Sequence, residues 1–191
     1  MKPNYDYQVY KLSAKFYQDY PHNKFPEILE KPTRGYNCIL IDCHTNYFVC
    51  VPFRSEINHS NGFHFHNTNR SKHHRSGLDY SKIVIISDMD YLDGNAVIDK
   101  DEYQAMIDNI DRIVQEALLY LTIYLNHKNG IAKLHPRRYQ RDYSRSALPY
   151  FDAILFKENS NSEYQLSNSP SRAANVNISN SDYQINPKQL I

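Results

Sequence analysis

Between Tyr103 and Leu125 the apolar residues Tyr103, Met106, Ile107, Ile110, Ile113, Val114, Ala117, Leu118, Leu121, Tyr124 and Leu125 recur at helical spacing. This stripe predicts one long amphipathic helix over about 100–126. Asp99 and Glu102 read as an Asp-x-x-Glu capping box, and Asp101 favours the positive end of the helix dipole. His127, Lys128 and Gly130 mark its end. An apolar face of this length must be covered, so the stripe reads as core and not as a cofactor box. The covering material is β. Asn37–Asp42 and Tyr47–Val51 are apolar runs joined by a turn over 43–46, a hairpin whose near-continuous apolarity implies that both faces are covered. Lys82–Ile86 reads as a third buried strand, and Tyr5–Leu12 alternates like a fourth. Ser13 can cap a short helix over Ala14–Tyr20, stopped by Pro21, and a second, basic helix is expected over Pro136–Arg145. The expected fold class is α+β: a small antiparallel sheet with helices packed against it.

The rest of the composition sets bounds. Of the 191 residues, 41% are hydrophobic and 23% charged, enough for one core and too apolar for wholesale disorder. Mean hydropathy is -0.69 and no apolar run reaches about 18 residues, which excludes a membrane-spanning helix. Met1-Lys2-Pro3-Asn4-Tyr5 carries no apolar stretch of signal-peptide type, so a cytoplasmic location and no membrane partner are expected. Cys38, Cys43 and Cys50 show no CxxC spacing and read as buried strand thiols in a reducing compartment. The last stretch, 157–191, holds seven Ser and seven Asn. We expect a folded domain over 1–156 and a polar tail over 157–191. The 17 tyrosines, with no tryptophan, suit either stacking on RNA or an ordinary half-wet core.

Net charge is only +1, yet it hides a segregation. Residues 54–82 carry five Lys/Arg against two acids, residues 83–126 two against nine, and residues 127–145 six against one. A near-neutral chain arranged this way can still present a positive face to a polyanion. The alternative is that the acidic and basic segments pack together and cancel.

Several constellations bear on chemistry. Arg54-Ser55 follow the strand and Pro52, which places a guanidinium and a hydroxyl at a strand end facing a loop. Arginine bridges two phosphate oxygens and stays charged at any working pH. His59, His64, His66, His73 and His74 cluster in the same long polar segment. Their spacing matches no zinc pattern, so no metal is assigned; His59 is the candidate for proton transfer, the alternative being that all five are solvated loop histidines. Asn69 to Ser76 is a basic run able to track a nucleic-acid backbone, or else a solvated loop. Lys82 at a strand start adds a point charge for phosphate. No Gly-rich phosphate loop, GxSxG elbow, HExxH or Asp-x-Asp pair is present. What remains is a cationic site of a kind that cleaves RNA by attack of the ribose 2′-OH on the adjacent phosphorus. The rival readings are a non-catalytic RNA-binding module and a His-ligated metalloenzyme.

Three runs carry a family resemblance: Arg34-Gly35-Tyr36-Asn37-Cys38-Ile39-Leu40, Val51-Pro52-Phe53-Arg54-Ser55-Glu56-Ile57, and Ser76 to Ile86. They resemble toxins of type III toxin–antitoxin systems, nearest the TenpN branch, with ToxN and AbiQ as more distant relatives, over roughly residues 7–150. The resemblance implies a partly closed, Kid/PemK-like β-barrel core and a metal-independent endoribonuclease that leaves a 2′,3′-cyclic phosphate. It also implies inhibition by a small structured RNA antitoxin, which the toxin cuts from a repetitive precursor, in a protein–RNA hetero-oligomer serving plasmid or phage-defence loci. Arg34 falls on the family's lysine before the first core strand, Ser55 on its active-site serine, and Lys82 on a later lysine. Arg54 stands where ToxN has threonine, and Phe16 where ToxN has an aromatic hydroxyl, a role left to Tyr17. The catalytic set expected is therefore Arg34, Arg54, Ser55, His59 and Lys82, with no cofactor. The RNA-binding set is Tyr17, His64, Arg70, Lys72, Arg75, Lys133, Arg137, Arg138 and Arg141, toward antitoxin and substrate RNA alike.

Overall fold

The strands are β1 (Val9–Leu12), β2 (Asn37–Asp42), β3 (Phe48–Arg54), β4 (Gly62–His64), β5 (Gly77–Asp79), β6 (Val84–Ile86) and β7 (Leu92–Asn95). The helices are α1 (Ala14–Asp19), α2 (Lys100–Asp108), α3 (Ile110–Lys128), α4 (Pro136–Tyr143) and α5 (Asp152–Leu155). This computed structural model describes residues 8–28, 36–43 and 46–157; Arg34 and the tail from 158 onward lie outside the described residues. The seven strands pair antiparallel in the order β4-β5-β3-β2-β1-β7, with β6 also on β3. The α+β class is as expected. The barrel is not: β4 and β7 stand at opposite ends of the order, and the sheet does not close.

β3 is the central strand because it is apolar on both faces. Val49, Cys50 and Val51 are fully buried, as are Cys38 and Ile39 on β2. One edge of β3 takes β2 along its length. The other takes β6 against Phe48–Cys50 and then β5 against Phe53–Arg54. Pro52 therefore does not end the strand, as the sequence suggested. It falls between the β6-paired and β5-paired stretches, where a missing N–H breaks no ladder on that side.

Two further differences have physical causes. The segment 54–81 is not a plain loop. It folds as the β4–β5 hairpin, anchored by buried Ile57, Phe63, Phe65 and Leu78. The hairpin closes so tightly that a Cβ on Gly77 would lie 1.9 Å from the Phe63 carbonyl oxygen. The predicted single helix over 100–126 is broken at Asn109, which leaves helical geometry (φ -121°, ψ 14°) while its side-chain amide donates to the Ala105 carbonyl at 2.9 Å. A short polar side chain that competes for the backbone in this way interrupts a helix. The expected capping box does not form either: Asp99 makes no side-chain cap and instead pairs with Arg70 at 2.6 Å. Ser13, by contrast, caps α1 through the Phe16 N–H as expected. Cys38 and Cys50 are joined as a disulfide across β2 and β3, so of the three cysteines only Cys43 is a free thiol.

The tyrosines go largely to packing. Tyr120, Tyr139 and Tyr143 stack in series, with Tyr124 tilted against Tyr143, and so tie α4 to α3. The Tyr143 hydroxyl donates to the Tyr120 carbonyl, and the Tyr120 hydroxyl to the Asp142 carbonyl. Tyr120, Tyr124 and Tyr143 bring their apolar area indoors and keep their hydroxyls satisfied.

Candidate functional site

The antiparallel register of β3 and β5 pairs Arg54 with Gly77 and Phe53 with Leu78. It brings Asp79, the last residue of β5, beside the end of β3. Asp79 is wholly buried, and donors surround its carboxylate. One carboxylate oxygen accepts the Arg54 guanidinium at 2.6 Å. The other accepts the Ser81 N–H at 2.9 Å and the Ser81 hydroxyl at 2.7 Å, capping the 3₁₀ turn Tyr80–Lys82. His59 Nε2 stands 3.5 Å from that same oxygen and 3.3 Å from Ser81 Oγ. Burial alone would raise the Asp79 pKa. The hydrogen bonds from His59 and Ser81, with the Arg54 charge, outweigh it and hold the carboxyl below its usual range. Asp79 is thus an ionised anchor carrying two outward-reaching groups: the Arg54 side chain is 22% exposed and that of His59 38%.

A second layer supports this cluster. The Tyr36 hydroxyl donates to the Lys82 carbonyl, and burial, with the nearby Asp79 charge, keeps that phenol protonated. Lys82 is itself buried, its ammonium held by the Glu27 carboxylate and by the Arg145 carbonyl at 2.6 Å. The Ala147 N–H donates to the Ser81 carbonyl at 2.9 Å, and the Asn61 amide faces the Asp142 carboxylate. These contacts lay α4 and the segment after it along the rim of the Asp79 cluster. Arg138, Arg141 and Arg145 follow at i, i+3 and i+7, and Lys133 and Arg137 are exposed on the same segment. Asp142 is the acid of this segment, 2.7 Å from Arg141 and 3.6 Å from Arg138. Lys133, Arg137 and Arg145 have no carboxylate partner among the described residues.

The predicted site residues separate accordingly. Arg54 and His59 meet on Asp79. Lys82 lies in the same turn but is enclosed by Glu27, so it shapes the wall and offers little free charge. Ser55 is half-buried and stands outside the set of residues bonded to Asp79. Tyr17 is half-buried with its ring edge-on to Phe16 at 5.6 Å. His64 reaches the backbone of His59, its Nε2 lying 3.0 Å from the His59 carbonyl oxygen. With His66, Phe63 and Arg112 it lines a groove of about 240 Å³ beside β4. Arg70 is spent on Asp99 and Glu102, whereas Lys72 and Arg75 are exposed. No group of three or more His, Cys, Asp or Glu converges on a metal position among the described residues.

Comparison of the chain with family models, with curated proteins and with solved structures finds no match. The groups that reading the sequence missed are Asp79 and Ser81 as partners of His59, and Glu27 and Tyr36 as partners of Lys82. Asp79-x-Ser81 carries a visible signal, since an Asp two residues before a backbone N–H is a common turn cap. That it also gathers Arg54 and His59 depends on the β3–β5 register.

Proposed function

We propose that the protein is a metal-independent endoribonuclease toxin of the type III toxin–antitoxin kind. The observation that carries this reading is the pairing of Arg54 and His59 on one buried carboxylate, on the rim shared with the α4 arginines. Arg54 grips a non-bridging phosphate oxygen and steadies the charge that builds on phosphorus. His59 accepts the proton of the ribose 2′-OH. The 2′-oxygen then bonds to phosphorus, the bond to the 5′-oxygen breaks, and that oxygen leaves with a proton from water. The products are a 2′,3′-cyclic phosphate and a 5′-hydroxyl. Ser55 contacts the same phosphate one residue beyond Arg54. Lys133, Arg137, Arg138 and Arg141 hold the backbone of substrate RNA or of a small structured RNA antitoxin. The protein and that RNA then form a hetero-oligomer.

A second reading, a non-catalytic RNA-binding module, draws on one fact: Lys82 and Arg54 already face internal carboxylates. Incubation with RNA in excess EDTA separates the two. Cleavage to cyclic-phosphate ends is the expected result, and binding with the RNA left intact refutes the nuclease.

A further inference from the structure

Ser81 has a single hydroxyl hydrogen, and its 2.7 Å contact to the Asp79 carboxylate consumes it. Toward His59, Ser81 Oγ therefore offers only lone pairs. Asp79 Oδ1 likewise offers only lone pairs. Both approach the same ring nitrogen, Nε2, at 3.3 and 3.5 Å. A nitrogen facing two acceptors must carry the hydrogen. In the neutral imidazole the other nitrogen, Nδ1, is then bare. No described residue occupies Nδ1, and the ring is exposed enough to meet a ligand.

We infer that Asp79 and Ser81 act as positioning residues that fix His59 as its Nε2–H tautomer, so that Nδ1 is the atom that takes the 2′-hydroxyl proton. This rests on the endoribonuclease reading and names its reacting atom. The balance is simple: the proton moves from the 2′-oxygen to Nδ1, the imidazolium is stabilised by Asp79, and the proton returns to water after the 5′-oxygen has left. The charged and titratable neighbours of the ring are few. Asp79 and, through it, Arg54 lie on one side, and His64 lies at the His59 carbonyl. Asp142 and its partners Arg138 and Arg141 stand beyond Asn61. Asp79 is the carboxylate that touches the ring.

The test is nitrogen NMR on the full chain labelled at histidine, above the pH at which His59 titrates, with His59 assigned by its loss in His59→Gln. The expected spectrum shows a protonated Nε2 and a bare Nδ1. The opposite tautomer overturns the inference, even in a protein that cuts RNA. Asp79→Asn keeps the turn cap and removes the charge. Its Oδ1 still accepts at Nε2, so the tautomer should hold, while loss of the charge that faces the imidazolium should lower cleavage by about 100-fold. Ser81→Ala, which leaves the carboxylate at Nε2, should cost less than about tenfold. A wild-type cleavage rate in Asp79→Asn, or a bare Nε2 in that variant, overturns the positioning role. Should the wild-type protein leave RNA intact while showing the Nε2–H ring, the endoribonuclease reading falls and the base assignment falls with it, but the tautomer set by Asp79 stands.

Discussion

Two basic segments meet opposite fates. The run around Arg70 folds against the acidic start of α2. Arg70 pairs with Asp99, and the Asn69 N–H with Asp101 at 2.6 Å, which holds that carboxyl below its usual range with help from nearby backbone donors. The segment 133–145 meets a tyrosine stack instead, so its anchoring is aromatic and most of its charge stays on the surface. Formal charge along a sequence therefore says little about field. What decides is whether the topology brings an acid or an aromatic face to meet the base.

The comparison can be broken in two ways. The larger effect is expected at the buried anchor. Asp79→Ala leaves the Arg54 guanidinium without its carboxylate and should cost about 3 kcal/mol in urea unfolding. The folded pKa of Asp79 is lowered from 3.8, so its contribution is complete above that value and drains away as pH falls through the lower folded value. Asp79→Asn should accordingly flatten the acid limb of the stability curve, and an unchanged limb would show that the carboxylate is not held ionised. The smaller effect concerns the two basic segments. Neutralising Arg137, Arg141 and Arg145 to Gln should reduce the salt slope of RNA binding by about 0.7 for each phosphate that is no longer neutralised. Arg70→Gln should leave that slope alone and cost under about 1 kcal/mol of stability, because its ion pair is partly exposed. Equal slope changes at both segments would erase the distinction.

Much of the fold was legible. β2 appears over the expected residues because an apolar run between turn signals has few other uses. The α1 cap and the C-terminal end of α3 followed from Ser13 and Gly130, whose φ of 73° suits glycine. The β4–β5 hairpin was hidden because three-residue strands leave too short an alternation, and their polar neighbours mimic a loop. The helix break was hidden because Asn109 lies within an unbroken apolar period. In the candidate site, Arg54 and His59 stand out in the sequence by their chemistry. Asp79 was not given its role, since an isolated acid in a basic stretch looks like a surface charge until β5 is paired with β3. Lys82 shows the converse. It looked like a free cation because Glu27, 55 residues earlier, gave no sign of being its partner.

Cutting and holding are assigned to different places: the first to the Asp79 cluster, the second to the α4 rim. The most direct test measures RNA cleavage in EDTA and RNA affinity side by side for His59→Gln. Cleavage should fall by at least about 100-fold while affinity stays within about twofold of the wild-type protein. Cleavage that survives the substitution, or affinity that falls in step with it, would contradict the separation.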